Sequence, residues 1–344
     1  MALDVDSKRL FAESVGGLFA RHCPVSLVRA LGPGAWSDEL WEAVVAAELP
    51  LLGIDETTGG AGGTMADATI ALLAAGRHAA PIPLAETLVA NWLLVASGHE
   101  PGIRPLSIAW GVRGRSGVHA SAVPFARHVD GLVLVDPSDR RVAVGTVPLS
   151  ACELDRDLDL ADMACDTILA PAASIVWRAL PAIDAELPDA LLAVVRSAQM
   201  AGALEAVLAL TVRHVRDRVQ FGRPLAALPQ VRERLAVLRG EVAATAAATK
   251  VAAEAAPDPR RRMVAVAVAV RAARAAGLGA RLAHQLHGAI GMSAEHELHL
   301  LTRRLLVWRQ LRGGEHAWAR AAGRTVARQG SAGLWPALVE DWAR

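Results

Sequence analysis

The chain has 344 residues, more than an ordinary single domain of roughly 100 to 200, so two or three packed units are expected. Thirty-six Lys and Arg against 35 Asp and Glu leave a formal charge of +1, too balanced for a counterion-driven grip on nucleic acid or on an anionic membrane. The 53% hydrophobic content and the mean hydropathy of +0.31 reflect alanine and valine in helices. Charges interrupt each long apolar stretch before the ~20 residues a bilayer needs, so no membrane span is expected. Cys23, Cys152 and Cys165 show no CxxC spacing, which argues against a disulfide framework and a structural zinc. The first residues carry acids where a secretory signal would carry bases, and a cytoplasmic protein is expected. Tyrosine is absent and aromatic residues are 4%, which excludes phenol chemistry and supplies little stacking for nucleic acid.

Along the chain, Leu10, Phe11, Val15, Leu18 and Phe19 recur at helical intervals, and Ser37 followed by two acids opens a second helix. A glycine-rich loop at 55–64 precedes helical stretches near 65–77 and 83–96, separated by Pro81 and Pro83. From about 104 the period changes to two. Short β-branched runs at 105–110, 118–123, 132–135, 141–144 and 167–169 lie between turn residues and predict a small antiparallel β-domain. Past Pro188 a long apolar stripe predicts a helix of about eight turns, and further helices follow at 231–255, 262–287 and about 297–311. The expected organisation is mainly α with a small β-domain: an N-terminal helical domain (1–103), a middle β-domain (104–180) and a C-terminal four-helix bundle (181–344). The alanine-rich second and third bundle helices are apolar on more than one face, and subunit association would cover the second.

Two strings carry chemistry. The first is Arg218-Val-Gln-Phe-Gly-Arg-Pro-Leu, and the second is Gln285-Leu-His-Gly-Ala-Ile-Gly-Met followed by Glu295 and His296. Arg218 can pair bidentately with a phosphate, Phe221 presents a ring, and Gly222 lets the backbone approach closely, which suits a flat, anionic dinucleotide. Together the strings resemble the acyl-CoA dehydrogenase family, and the loop around Gly59, Gly60 and Gly62 resembles that family's N-terminal domain. The resemblance implies FAD as cofactor, an acyl-CoA as substrate and electron-transfer flavoprotein or another acceptor. It also implies that Arg218, Gln220, Phe221, Leu225, Gln285 and Gly288 reach across a subunit interface to the flavin.

The family's α,β-desaturation needs a carboxylate to take the α-proton. The positions that match the family's base are Arg312 or Gly313, after the fourth bundle helix, and Leu192, in the first; none can serve. The β-domain also lacks the family's Thr-Glu-Pro-x-Gly-Ser-like flavin loop between Ile108 and Ala126. Both losses predict the base-less subunit of a heteromeric, α2β2 enzyme of the kind found in actinobacterial steroid side-chain degradation. A homologous partner would carry the base. The alternative is a self-sufficient enzyme, forming a homo-oligomer, with a displaced base: Glu315 first, then Asp189 and Glu205.

Other classes fare worse. His284, His287, His296 and His299 lack the i, i+4 pair of zinc proteases and read as helix-end and interface histidines, so no metal is expected. The loop at 59–63 has neither the Gly-Lys-Ser/Thr ending of a P-loop nor a Rossmann context. Arg303 and Arg304 read as interface cations. No Gly-x-Ser-x-Gly elbow occurs, which leaves a non-catalytic helical scaffold as the remaining rival.

Overall fold

A computed structural model describes residues 4–136, 142–181 and 185–329. The chain packs as two compact units, Met1–Leu72 with Ala80–Leu192, and Leu73–Ala79 with Ala193–Arg344. The first unit opens with helices α1 (Val5–His22), α2 (Val25–Ala30) and α3 (Asp38–Ala46). Ser37 caps α3 by accepting the Leu40 N–H at 3.2 Å, as its position before two acids predicts. The glycine-rich loop closes on itself, Gly62 N–H donating to Ile54 O at 2.8 Å, and leads into α4 (Met65–Arg77). Helix α5 (Leu84–Ala96) is buried from Leu84 to Leu94, so its polar groups need internal partners. Thr87 exchanges two hydrogen bonds with the Leu106 backbone, and Trp92 donates to Leu52 O at 2.9 Å.

Eight strands follow: β1 (Leu106–Trp110), β2 (Val112–Arg113), β3 (Gly117–Pro124), β4 (Gly131–Asp136), β5 (Ala143–Pro148), β6 (Glu153–Asp155), β7 (Cys165–Pro171) and β8 (Val176–Ala179). They form two sheets, in the orders β1-β4-β5-β8 and β2-β3-β7-β6. The domain departs from the expected antiparallel pattern at one pair. Strands β1 and β4 run parallel, Leu106 opposite Gly131 through Trp110 opposite Val135. The chain leaves β1 to build β2 and β3 in the other sheet, and this crossover lets it return beside β1 in the same direction. Val118, Leu132, Leu134, Val147 and Ile168 share one core. Arg141, expected to open a strand, lies outside the described residues.

The second unit is helical, with α6 (Leu187–Asp217), α7 (Pro229–Ala255), α8 (Arg262–His287), α9 (Leu298–Trp308) and α10 (Gly314–Gln329). Its core gathers Leu204, Val207, Leu238, Ala276, Leu298 and Leu305. The segment 73–79 crosses α6 at glycines. A Cβ on Gly202 would lie 2.0 Å from Leu73 O, and one on Gly76 would lie 2.2 Å from Gln199 O. Arg304, expected at an interface, is instead buried within this unit, its guanidinium 3.4 Å from Ala79 O. By length and composition α6 and the 262–292 stretch could cross a membrane, although charges had been expected to break every such run. Their apolar windows are 83% and 61% buried inside the protein, as in core helices.

Candidate cofactor-binding site

The first of the two strings ends α6 and turns into a minimal hairpin, β9 (Val219–Gln220) and β10 (Arg223–Pro224). Gln220 faces Arg223, and Leu225 N–H closes the turn on Arg218 O at 2.9 Å. The turn residues Phe221 and Gly222 have φ of 55° and 73°, the double positive φ of a type I′ turn. Glycine takes that conformation freely; phenylalanine does so at a cost of order 1–2 kcal/mol. The strained residue is also 85% exposed. A ring held in solvent by strained backbone has no folding role within this chain, and strain of this kind clusters at binding sites. Arg218 is exposed and makes no ion pair among the described residues.

The second string ends α8. Gln285 is exposed on the last helical turn, and Gly288 (φ 64°, ψ −145°) stops the helix with its N–H on His284 O. A Cβ there would meet nothing within 4 Å, so glycine is required by the backbone and not by crowding. Ile290 and Met292, just beyond, are 50% and 73% exposed.

A histidine cluster lies at the roots of both turns. His214 of α6 stacks on His287 of α8 (centroids 4.5 Å, 21°), and His296 meets His287 edge-on at 4.8 Å. Burial, and to a lesser extent the neighbouring imidazoles, push His287 down to about 4, against an upward pull from its bond to Ala283 O. His214 and His284 are lowered too, first by burial. Sequence reading placed His287 and His296 in one row but missed His214, some 70 residues upstream, because only the packing of α6 on α8 brings it in. Among the described residues no group of three His, Cys, Asp or Glu side chains could hold a metal.

The base positions hold no carboxylate in space either. Leu192 is a buried side chain of α6, 3% exposed. Arg312, Gly313 and Gly314 follow α9 with φ of 59°, 82° and 69°, three left-handed residues in succession. Glu315, in the first turn of α10, has Oε1 2.6 Å from Arg274 Nε and Oε2 3.7 Å from Arg309 Nη2. Glu205 is ion-paired with Arg77. Asp189, in the first turn of α6, also has an interaction partner.

The family model of the acyl-CoA dehydrogenase C-terminal domain matches residues 190–326. Acyl-CoA dehydrogenase IpdE2 of Mycobacterium tuberculosis is 31% identical over 305 residues, covering 87% of this chain and 91% of that protein. The chain belongs to the acyl-CoA dehydrogenase family. Its Mycolicibacterium smegmatis namesake is 29% identical over 308 residues, covering 87% of this chain and 92% of that protein. Among solved acyl-CoA dehydrogenase folds, the steroid ACAD Tcur3481-Tcur3483 variant superposes with a TM-score of 0.84 at 20% identity, over 94% of this chain and 98% of that one. The ChsE4-ChsE5 complex of Mycobacterium tuberculosis gives 0.82 at 20%, over 96% and 99%.

The residues that an acyl-CoA dehydrogenase would turn toward FAD fit that group. A free guanidinium for a phosphate, an unpacked ring, an exposed amide and an open glycine turn stand on one structural unit. Beside the hairpin, a groove of about 610 Å³ between α6 and α7 is floored by Leu208, Val212, Val215 and Leu235. Arg232 and Arg239 line it without ion pairs among the described residues.

Proposed function

We propose that this chain is the base-less subunit of a flavin-dependent acyl-CoA dehydrogenase, working in the cytoplasm with a homologous partner in an α2β2 assembly. The observation that carries the proposal is that the positions matching the family's base hold no carboxylate and that the nearby candidates are already paired. Positions 192, 312 and 313 hold Leu, Arg and Gly, while Glu315 and Glu205 are already engaged by arginines. Glu315 would have to leave its 2.6 Å contact with Arg274, and Glu205 its ion pair with Arg77, before either could take an α-proton. The partner therefore supplies the base and most of the acyl pocket. Tcur3481-Tcur3483, a steroid ACAD, and the ChsE4-ChsE5 complex each pair two proteins, which supports a heteromer acting on a steroid side-chain acyl-CoA.

This chain's residues bind and orient. Arg218 would pair with a phosphate of the dinucleotide, Phe221 would present its ring, and Gln285 with the Gly288 turn would offer hydrogen-bond donors. FAD held there would supply the hydride acceptor for the β-hydrogen and the route for electrons to electron-transfer flavoprotein or another acceptor. The arginine-lined groove and the exposed Phe221, Ile290 and Met292 are the surfaces this chain would offer a partner.

The test is co-expression. The chain alone is expected to purify without flavin and to leave a steroid side-chain acyl-CoA unchanged. Co-expressed with a longer homologue that carries the glutamate, it should purify with bound FAD that is bleached by that thioester. Tight FAD and turnover by the chain alone would overturn the proposal in favour of a self-sufficient enzyme.

A further inference from the structure

We infer that His214, His287 and His296 form a packed cluster of neutral imidazoles that positions the Arg218–Leu225 turn and the Gln285–Met292 turn relative to one another. Hydrogen bonds fix the tautomers of two of the rings, and burial keeps His287 neutral. His287 Nδ1 lies 2.8 Å from Ala283 O and donates to it, which leaves Nε2 without its proton. That Nε2 is buried and has no partner. His296 Nδ1 accepts the Leu298 N–H at 3.1 Å, so this nitrogen is also bare while it caps the start of α9. Protonating His287 would bury an N–H with no acceptor and set a charge 4.5 Å and 4.8 Å from two other rings.

The cluster sits where it can govern both turns. His214 O accepts the Arg218 N–H at 2.9 Å, and His287 immediately precedes Gly288. The charged and titratable groups around it oppose protonation. His284, on α8, also acts against a charge on His287, and His299 of α9 acts on His284 in the same way. Arg218 beside His214 adds to this, while Asp217 pulls His214 the other way. Glu297 pairs with Arg213 at 2.7 Å, and Glu295 lies on the segment carrying His296. Neutral rings therefore clamp α6 to α8, and a proton on His287 drives them apart.

His287 falls from 6.5 to about 4 on folding. Its neutral form is favoured in the closed cluster, so the clamp is fully present above about pH 6.5 and is lost progressively as pH falls toward 4. From about pH 7.5 to pH 5 that linkage makes opening roughly 30-fold easier.

Amide hydrogen exchange on the folded free chain, corrected for intrinsic rates, reads this directly. Peptides covering 214–225 and 285–296 should lose about 30-fold protection together over that range. His287→Phe, which keeps a ring and cannot titrate, should leave only the smaller pH response of His214 and His284 in both segments; His287→Ala should expose both at neutral pH. Loss of protection in one segment alone, or a wild-type pH response in His287→Phe, would overturn the inference. That these turns hold FAD rests on the proposed function, and FAD retention by the assembled enzyme separates the two ideas. Coupled exchange with no FAD at either pH sinks the cofactor assignment, whereas FAD retention with uncoupled exchange sinks the clamp.

Discussion

Phe221→Ala separates the folding of this chain from its assembly. The side chain is 85% exposed, so of the roughly 200 Å² an aromatic residue can bury, about 170 Å² remains for a partner. At ~25 cal/mol per Å² full coverage contributes up to about 4 kcal/mol, of which alanine keeps about a third. The substitution should therefore weaken FAD retention in the assembled enzyme by about 2–3 kcal/mol, a loss of about 30- to 150-fold. The isolated chain has no packing to lose there, and its unfolding free energy should move by less than about 0.5 kcal/mol. Flavin titration of the co-purified complex and urea denaturation of the free chain measure the two quantities. Unchanged flavin affinity, or a free chain destabilised by more than 1 kcal/mol, would refute the claim that this ring is held out for a neighbour.

Three further outcomes follow from the geometry. Glu315→Gln should leave turnover of the assembled enzyme intact and cost at most about 1 kcal/mol of stability, because Arg274 is well exposed; lost turnover with flavin still bound would make Glu315 the base. Asp166→Ala removes a fully buried carboxylate that accepts from the Arg127 side chain and from the Arg127 and Asp157 backbone N–H groups. Stranding a mostly buried guanidinium should cost about 3–5 kcal/mol, seen as a lower urea midpoint at unchanged slope. Gly202→Ala drives a Cβ to 2.0 Å from Leu73 O, and a helix backbone cannot yield as a side chain would. A loss of about 3 kcal/mol or more is expected, and a melting temperature equal to wild type would show that the crossing is looser than described.

Most of the helical architecture is legible because its punctuation is local. Pro229 and the Pro257-Asp-Pro259 break bound α7 within two residues, and Ser37 announces α3. The β-domain is harder to read. Strands β2, β6 and β8 hold two to four residues, too few for a period to emerge, and the parallel pairing of β1 with β4 depends on a crossover that neither strand encodes. At the site, Arg218, Phe221 and Gln285 are visible as motif residues, but the left-handed backbone under Phe221 is not. The engagement of Glu315 is equally hidden, since Arg274 lies 41 residues away in the chain. Long-range partners are chosen by packing, and a single sequence does not state them.

The three left-handed residues Arg312, Gly313 and Gly314 also bear on where an acid could be placed in this turn. If catalysis relies on a neighbour's carboxylate, a glutamate restored at 313 would have to sit at φ 82°, where a side chain costs roughly 1–2 kcal/mol. Only position 312 already tolerates a side chain in that conformation, and there the guanidinium would first have to be given up. The turn therefore confines a new acid to position 312 unless the loop at 313–314 is remodelled.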